Sequence, residues 1–131
     1  MKEELDEKLV EKYPKIFQNR FERMQKTAMC WGFECGDGWY DLIDTLCECI
    51  QNHIDNCYRM GNADIEQVVA VQVKEKFGGL RFYVDGGDEH TMAMIEFAES
   101  FSHNICAVCG NKGKTRGVGW ITTLCDEHAK D

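Results

Sequence analysis

The strongest chemistry in this sequence lies at its C-terminal end, in Cys106-Ala-Val-Cys109-Gly110 and Cys125-Asp-Glu-His128. Two ligands separated by two residues can grip one tetrahedral ion from a tight turn, and a second such turn completes the four ligands. Gly110 follows the first pair, where left-handed backbone is often needed. The residues between the pairs hold a glycine-rich turn, then a short strand around Trp120 to Leu124. Cys106, Cys109, Cys125 and His128 therefore predict a zinc ribbon with one structural Zn2+, because a catalytic zinc keeps one position open for water. Three thiolates leave the site net negative, and metal binding becomes folding energy for this end of the chain. Lys112, Lys114 and Arg116 on the intervening loop could touch phosphate or balance that charge. The competing reading is core cysteines beside a surface histidine. The equal spacing of both pairs, each next to turn residues, argues against it.

Other residues could do chemistry with less specific spacing. Cys49, His53 and Cys57 fall at i, i+4 and i+8, and with Cys30 or Cys35 they could form a second metal site. A thiolate–imidazole pair could also activate a nucleophile, yet free cysteine is an ordinary core residue. Whether Cys30, Cys35, Cys47, Cys49, His53 and Cys57 bind a second metal stays open from spacing alone. Asp37, Asp41 and Asp44 could serve a nuclease, but they match no specific motif. Trp31 and Trp39 stand among Gly32, Gly36 and Gly38 in an aromatic loop, which reads equally as a binding surface or a core plug. Lys74, Arg81 and Tyr83, with Gln72, could line a small-ligand or peptide surface.

The elements that position these groups follow from periodicity. Leu5, Leu9, Tyr13 and Ile16 share a helical face, and Pro14 could open a second helix carrying Ile16, Phe17, Arg20, Phe21 and Met24. A helix from about Trp39 to Met60 has the clearest pattern, with Asp37 as its expected N-cap. Trp39, Leu42, Ile43, Leu46, Ile50, Ile54 and Cys57 cluster on one side; Asp41, Asp44, Glu48 and Asp55 line the other. That acidic stripe is a solvated face, or a surface for a basic partner or a cation. Val69, Val71 and Val73, then Leu80, Phe82 and Val84, alternate as two antiparallel strands joined by a Gly78-Gly79 turn. A last helix spans about Glu89 to Asn104, with Met94, Ile95, Ala98, Phe101 and Ile105 inside and His103 paired with Glu99. His90 stands at its start without an obvious partner. The expected fold is α+β: helices packed on a β-hairpin or small antiparallel sheet (1–105), with the ribbon (106–131) packed on it as one unit.

The net charge is −8, and residues 30–67 alone hold one basic and eight acidic side chains. Such a middle disfavours general nucleic-acid binding, which needs a basic surface. No apolar run approaches the length of a membrane span, and the charged N-terminus does not read as a signal peptide. The expected compartment is the cytoplasm, where closely spaced cysteines read as metal ligands and not as disulfides.

Four segments together carry a resemblance: Cys30-Trp-Gly-Phe-Glu-Cys-Gly-Asp-Gly-Trp-Tyr, Lys74-Glu-Lys-Phe-Gly-Gly-Leu-Arg-Phe-Tyr, Cys106-Ala-Val-Cys-Gly, and Gly119-Trp-Ile-Thr-Thr-Leu-Cys-Asp-Glu-His. The chain resembles a family of small uncharacterised proteins of bacteriophages, prophages and bacterial genomes, over most of residues 13–128. The resemblance implies an accessory protein acting in a bacterial host cytoplasm, where such proteins often bind and inhibit defence components. The expectation is then a zinc-stabilised, non-enzymatic binding protein acting by protein–protein contact on a host defence or regulatory protein. Trp31, Trp39, Lys74, Arg81, Tyr83, Asp41, Asp44 and Glu48 are its candidate contact residues. The alternatives are a binder of a small signalling nucleotide, pairing Arg81 and Lys74 with phosphate and a tryptophan with the base, and a nucleic-acid binder acting through the ribbon loop.

Overall fold

The computed structural model describes residues 1–22 and 28–130 and has the α+β class expected. Helix α1 (Glu3–Lys12) opens on Glu3, Glu4 and Asp6, which suit the positive end of the helix dipole, and buries Leu9. The second helix expected after Pro14 does not form. Residues 14–21 pass through turns instead, and the Ile16 carbonyl accepts from Ala70 N at 2.8 Å. That bond ties the segment to the sheet, while Ile16 and Phe17 stay buried. Met24 lies outside the described residues. Arg20 donates to the buried Asp6 carboxylate at 3.0 Å and to the Cys30 carbonyl at 3.0 Å, so one fork holds three segments together.

The main sheet has the order β1-β2-β3. Strands β2 (Val69–Lys76) and β3 (Gly79–Asp85) form the expected antiparallel hairpin, and β1 (Phe33–Glu34) adds a parallel edge that periodicity did not reveal. Two residues correct the expected hairpin. The turn falls on Phe77-Gly78, both in left-handed backbone (φ 53° and 83°), while Gly79 already pairs with Lys76. This is the mirror-image turn that matches strand twist. The register also shifts between Ala70 and Gln72, so Ala70 and Val73 both reach the core and Val71 is half-buried.

Helix α2 (Tyr40–Arg59) buries Ile43, Leu46, Cys47, Ile50 and Ile54. Asp37 does not cap it: the side chain instead accepts the Lys2 backbone N–H at 2.7 Å. Helix α3 (Glu89–Phe101) is capped by Asp88, whose carboxylate accepts from Thr91 N at 2.9 Å. Its inner stripe runs Thr91, Ile95, Ala98 and on to Ser102, which leaves Phe101 out, 47 % exposed, and not inside as expected. Ser102 Oγ accepts Leu80 N at 2.8 Å and the Glu99 carboxylate accepts Phe82 N at 2.9 Å, so α3 and the turn after it satisfy the free edge of β3. The C-terminal hairpin pairs β4 (Lys114–Arg116) with β5 (Thr122–Leu124). Among the described residues no helix is long and apolar enough to cross a membrane.

Candidate metal centre

The Cys-x-x-Cys turn closes locally: Gly110 N donates to Cys106 O at 2.9 Å, and Gly110 takes φ 84°. Cys106 N donates to Asn111 O at 2.7 Å, Ala107 N to Thr123 O at 2.9 Å, and Ala129 N to Cys125 O at 3.0 Å. These bonds bring the sulfurs of Cys106, Cys109 and Cys125 and the Nδ1 of His128 within 4.8 Å of one another, a cluster that could hold a metal ion. Cys109 Sγ lies 3.8 Å from Cys125 Sγ, and His128 Nδ1 lies 3.6 Å from Cys106 Sγ and 3.2 Å from Cys125 Sγ. A tetrahedron with metal–sulfur bonds of about 2.3 Å has edges of about 3.8 Å, and mixed sulfur–nitrogen edges are slightly shorter. The donor set therefore fits a tetrahedral ion. Burial pushes the Cys106 thiol up, but the amides of Cys125, Cys109 and Val108 outweigh it and hold its pKa at about 6. The amide of His128 and its imidazole likewise lower Cys125. At Cys109 the Asn111 amide pulls the thiol down, but burial and the neighbouring sulfurs of Cys106 and Cys125 outweigh it and raise it. The fold thus favours the thiolate at Cys106 and Cys125 and not at Cys109.

The glycine loop between β1 and α2 is the seat of the first knuckle. Gly38 N donates to Ala107 O at 2.9 Å, and a Cβ on Gly38 would stand 2.0 Å from Cys106 O. A Cβ on Gly36 would stand 2.0 Å from Ala107 O. Trp39 is fully buried and donates its indole N–H to Ile105 O at 2.9 Å. On the other side, Thr123 Oγ1 donates to Gly78 O at 2.5 Å, fastening β5 to the tip of the β2–β3 hairpin. The segments singled out in the sequence as Cys30–Tyr40 and Lys74–Tyr83 thus both reach the C-terminal hairpin.

This arrangement sorts the other candidate residues. Trp39 is a core side chain and offers no face to a partner or a nucleobase; Trp31 remains open, 61 % exposed. Asp44 is not a free member of the acidic stripe, because it accepts from Lys12 Nζ at 2.7 Å and Tyr13 OH at 2.5 Å and so joins α1 to α2. Asp41 and Glu48 are exposed. Lys74 and Arg81 are cross-strand partners, as are Gln72 and Tyr83, and Gln72 also donates to Glu34 at 3.3 Å. His103 bonds Thr115 Oγ1 at 2.6 Å and is not the ion-pair partner of Glu99, whose carboxylate is committed to Phe82 N. Arg116 is held by Asp126 at 2.7 Å and by Leu124 O at 3.1 Å. The ribbon loop therefore presents Lys112 and Lys114 as its exposed cations.

Among the described residues, Cys30, Cys35, Cys47 and Cys49 join no metal-ligating cluster. Burial pushes the Cys35 thiol up to about 12 and Cys47 well above its usual value, so neither is poised as a nucleophile. His53 and Cys57 do meet, but with Asp88 and not with Cys30 or Cys35. His90 finds a partner too: its ring stacks on His53 at 4.2 Å. Compared with known proteins, the chain matches no family model, no curated protein and no solved structure.

Proposed function

We propose that this is a zinc-stabilised, non-enzymatic binding protein whose partner surface is the groove between α2 and α3, shaped for a basic amphipathic helix. The observation that carries this reading is an open groove of about 410 Å³ floored by Leu42, Leu46, Cys49, Met94, Phe97 and Ala98. Phe97 is 71 % exposed and stacks on the half-exposed Phe101 at 5.9 Å. Large apolar side chains gathered in this way favour contact with another protein, since burying them removes apolar area from water. Exposed carboxylates each precede a lining residue by one position: Asp41 and Glu48 before Leu42 and Cys49 on α2, and Glu89 and Glu96 before His90 and Phe97 on α3, which sets acidic groups beside the groove. An apolar floor between acidic rims suits a helix with one apolar face and lysine or arginine beside it. Zn2+ is the ion that best suits a closed set of three cysteines and one histidine, and four protein ligands leave it no position for water. The resemblance to phage and prophage proteins supports a bacterial host protein as the source of that helix.

The reading is tested by crosslinked capture from bacterial lysate with wild type, Phe97→Asp and Trp31→Ala proteins. Recovery of a partner that Phe97→Asp loses and Trp31→Ala keeps, at unchanged melting temperature, is the expected result. An identical set of captured proteins from all three, or a groove filled by a second copy in sedimentation runs, overturns it.

A further inference from the structure

We propose a second divalent-metal site, made by His53, Cys57 and Asp88, with one coordination position left open to water. The groups come from two elements. His53 and Cys57 are four residues apart on α2 and so share one face. Cys57 Sγ lies 3.8 Å from His53 Nε2. Asp88 arrives from the Gly86-Gly87 turn, where both glycines take left-handed backbone (φ 81° and 83°). Its Oδ1 accepts from Thr91 N and Thr91 Oγ1, each at 2.9 Å, and both carboxylate oxygens face His53 Nε2, Oδ2 at 2.9 Å and Oδ1 at 3.2 Å. All three ligand atoms lie within 4.8 Å of one another. His90 stacks on His53 with the rings 15° from parallel, which restricts rotation of the imidazole.

Sulfur, nitrogen and oxygen donors in one cluster suit a borderline ion such as Zn2+, and one ligand of each kind is a set without a closed fourth position. A tetrahedral nitrogen–sulfur edge is about 3.6 Å, close to the distance present, and a nitrogen–oxygen edge is about 3.4 Å. Binding would therefore spread His53 and Asp88 slightly and replace their hydrogen bond. The site is half-buried, with the Asp88 side chain 37 % exposed, so an ion can reach it from solvent. It is separate from the C-terminal cluster in both ligands and chemistry: that cluster is closed, and this one would exchange water or a small anion.

The test starts with full-length protein equilibrated with micromolar free Zn2+, followed by elemental analysis of wild type, Cys57→Ser and His53→Gln. The expected result is two ions per wild-type chain and one per variant chain. In parallel, alkylation by iodoacetamide is mapped with and without Zn2+, using the exposed Cys49 as internal control. Zn2+ is expected to slow the reaction at Cys57 by about tenfold or more, because a coordinated thiolate is withheld, and to leave Cys49 unchanged. Cys57→Ser is nearly isosteric, and an unchanged melting temperature in chelator shows that it folds; the alkylation result needs no variant. One ion per wild-type chain with Cys57 unprotected overturns the proposal and leaves only a His53–Asp88 hydrogen bond. A second ion that persists in both variants overturns it as well.

Discussion

Replacing Gly38 by alanine probes how the Cys106–Cys109 turn of the candidate metal cluster is held. The added Cβ would lie 2.0 Å from Cys106 O, 2.7 Å from Ala107 C and 2.7 Å from Gly110 N. All three are backbone atoms, so no side chain can swing aside to make room. Gly38 has no left-handed backbone, so the cost is steric. Relief requires the knuckle to retreat by about 1 Å or more to reach ordinary contact. That retreat breaks the bonds from Gly38 N to Ala107 O and from Trp39 Nε1 to Ile105 O. Overpacking costs about 1–3 kcal/mol, and each lost hydrogen bond about 1 kcal/mol. Undocking of the ribbon caps the sum, and a net loss of about 2–3 kcal/mol is expected. The metal needs Cys106 and Cys109 in place, so the same free energy appears in metal affinity, as a weakening of about 30- to 150-fold. Competition against a chromophoric chelator reads the affinity, and urea unfolding at fixed free zinc reads the stability. Gly61→Ala is the control. Gly61 has φ 88° with nothing within 4 Å of the new Cβ. It should lose about 1–2 kcal/mol through backbone strain alone and keep its metal affinity. A Gly38→Ala protein within about threefold of wild type in affinity, with unchanged stability, would refute the docking argument.

Three further outcomes are expected. Burial raises the Asp44 carboxyl, but the bonds from Lys12 and Tyr13 outweigh it and hold its pKa below the usual value. Its stabilisation is therefore fully present above the unfolded value of about 3.9 and is lost as pH falls through the lower folded value. Asp44→Asn should flatten that acid limb and cost about 1 kcal/mol at pH 7, read as the difference from wild type at each pH, which cancels protonation of the metal ligands. Ser102→Ala leaves the Leu80 N–H without its acceptor beneath α3, and Thr123→Val removes the donor to Gly78 O. Each should lose about 1–3 kcal/mol in urea unfolding, and a loss below the measurement error in both would count against the ordering of β3 and β5 by these hydroxyls. Trp31 and Trp120 are 61 % and 82 % exposed while Trp39 is buried. Acrylamide should quench the first two, and a Trp31→Phe/Trp120→Phe protein should keep an emission that acrylamide does not reach.

Much of this was legible in the sequence because the signals were local. The two ligand pairs carry their own turn residues, and the clustering of ligand atoms follows from spacing. α2 was readable because twenty residues repeat one pattern, and the β2–β3 hairpin because alternation flanks glycine. What stayed hidden depends on contacts between distant residues. A strand of two residues such as β1 has no periodicity, and it exists because Phe33 pairs with Val73. The segment after Pro14 has helical spacing, but its Ile16 carbonyl is committed to Ala70 N. The aromatic loop balanced evenly between surface and core because Gly36 and Gly38 have no meaning until Ala107 and Cys106 lie on them. Asp88 lies thirty-five residues from His53 in the sequence, and only the approach of α3 to α2 puts the two side by side.

The C-terminal hairpin could not hold its shape by apolar burial. Its buried side chains are Cys106, Thr123 and Cys125, two members of the candidate metal cluster and a hydroxyl, whereas Val118 and Trp120 face solvent and Ile121 and Leu124 are only half-buried. What can fix it is a metal ion held by the cluster on one side and, on the other, the backbone bond from Gly38 N to Ala107 O and the Thr123 hydroxyl bond to Gly78 O at the hairpin tip. The two would support each other: the ion needs an ordered knuckle, and the glycine loop receives a knuckle of one shape. Linkage then requires that docking strengthen metal binding by the same free energy with which metal strengthens docking. The docked loop leads straight into the first turn of α2, which carries Leu42 of the α2–α3 groove floor. Stripping the metal should therefore loosen the groove at that end. A partner bound there should be released more readily by chelator from wild type than from a protein whose α2 start is held independently of the metal.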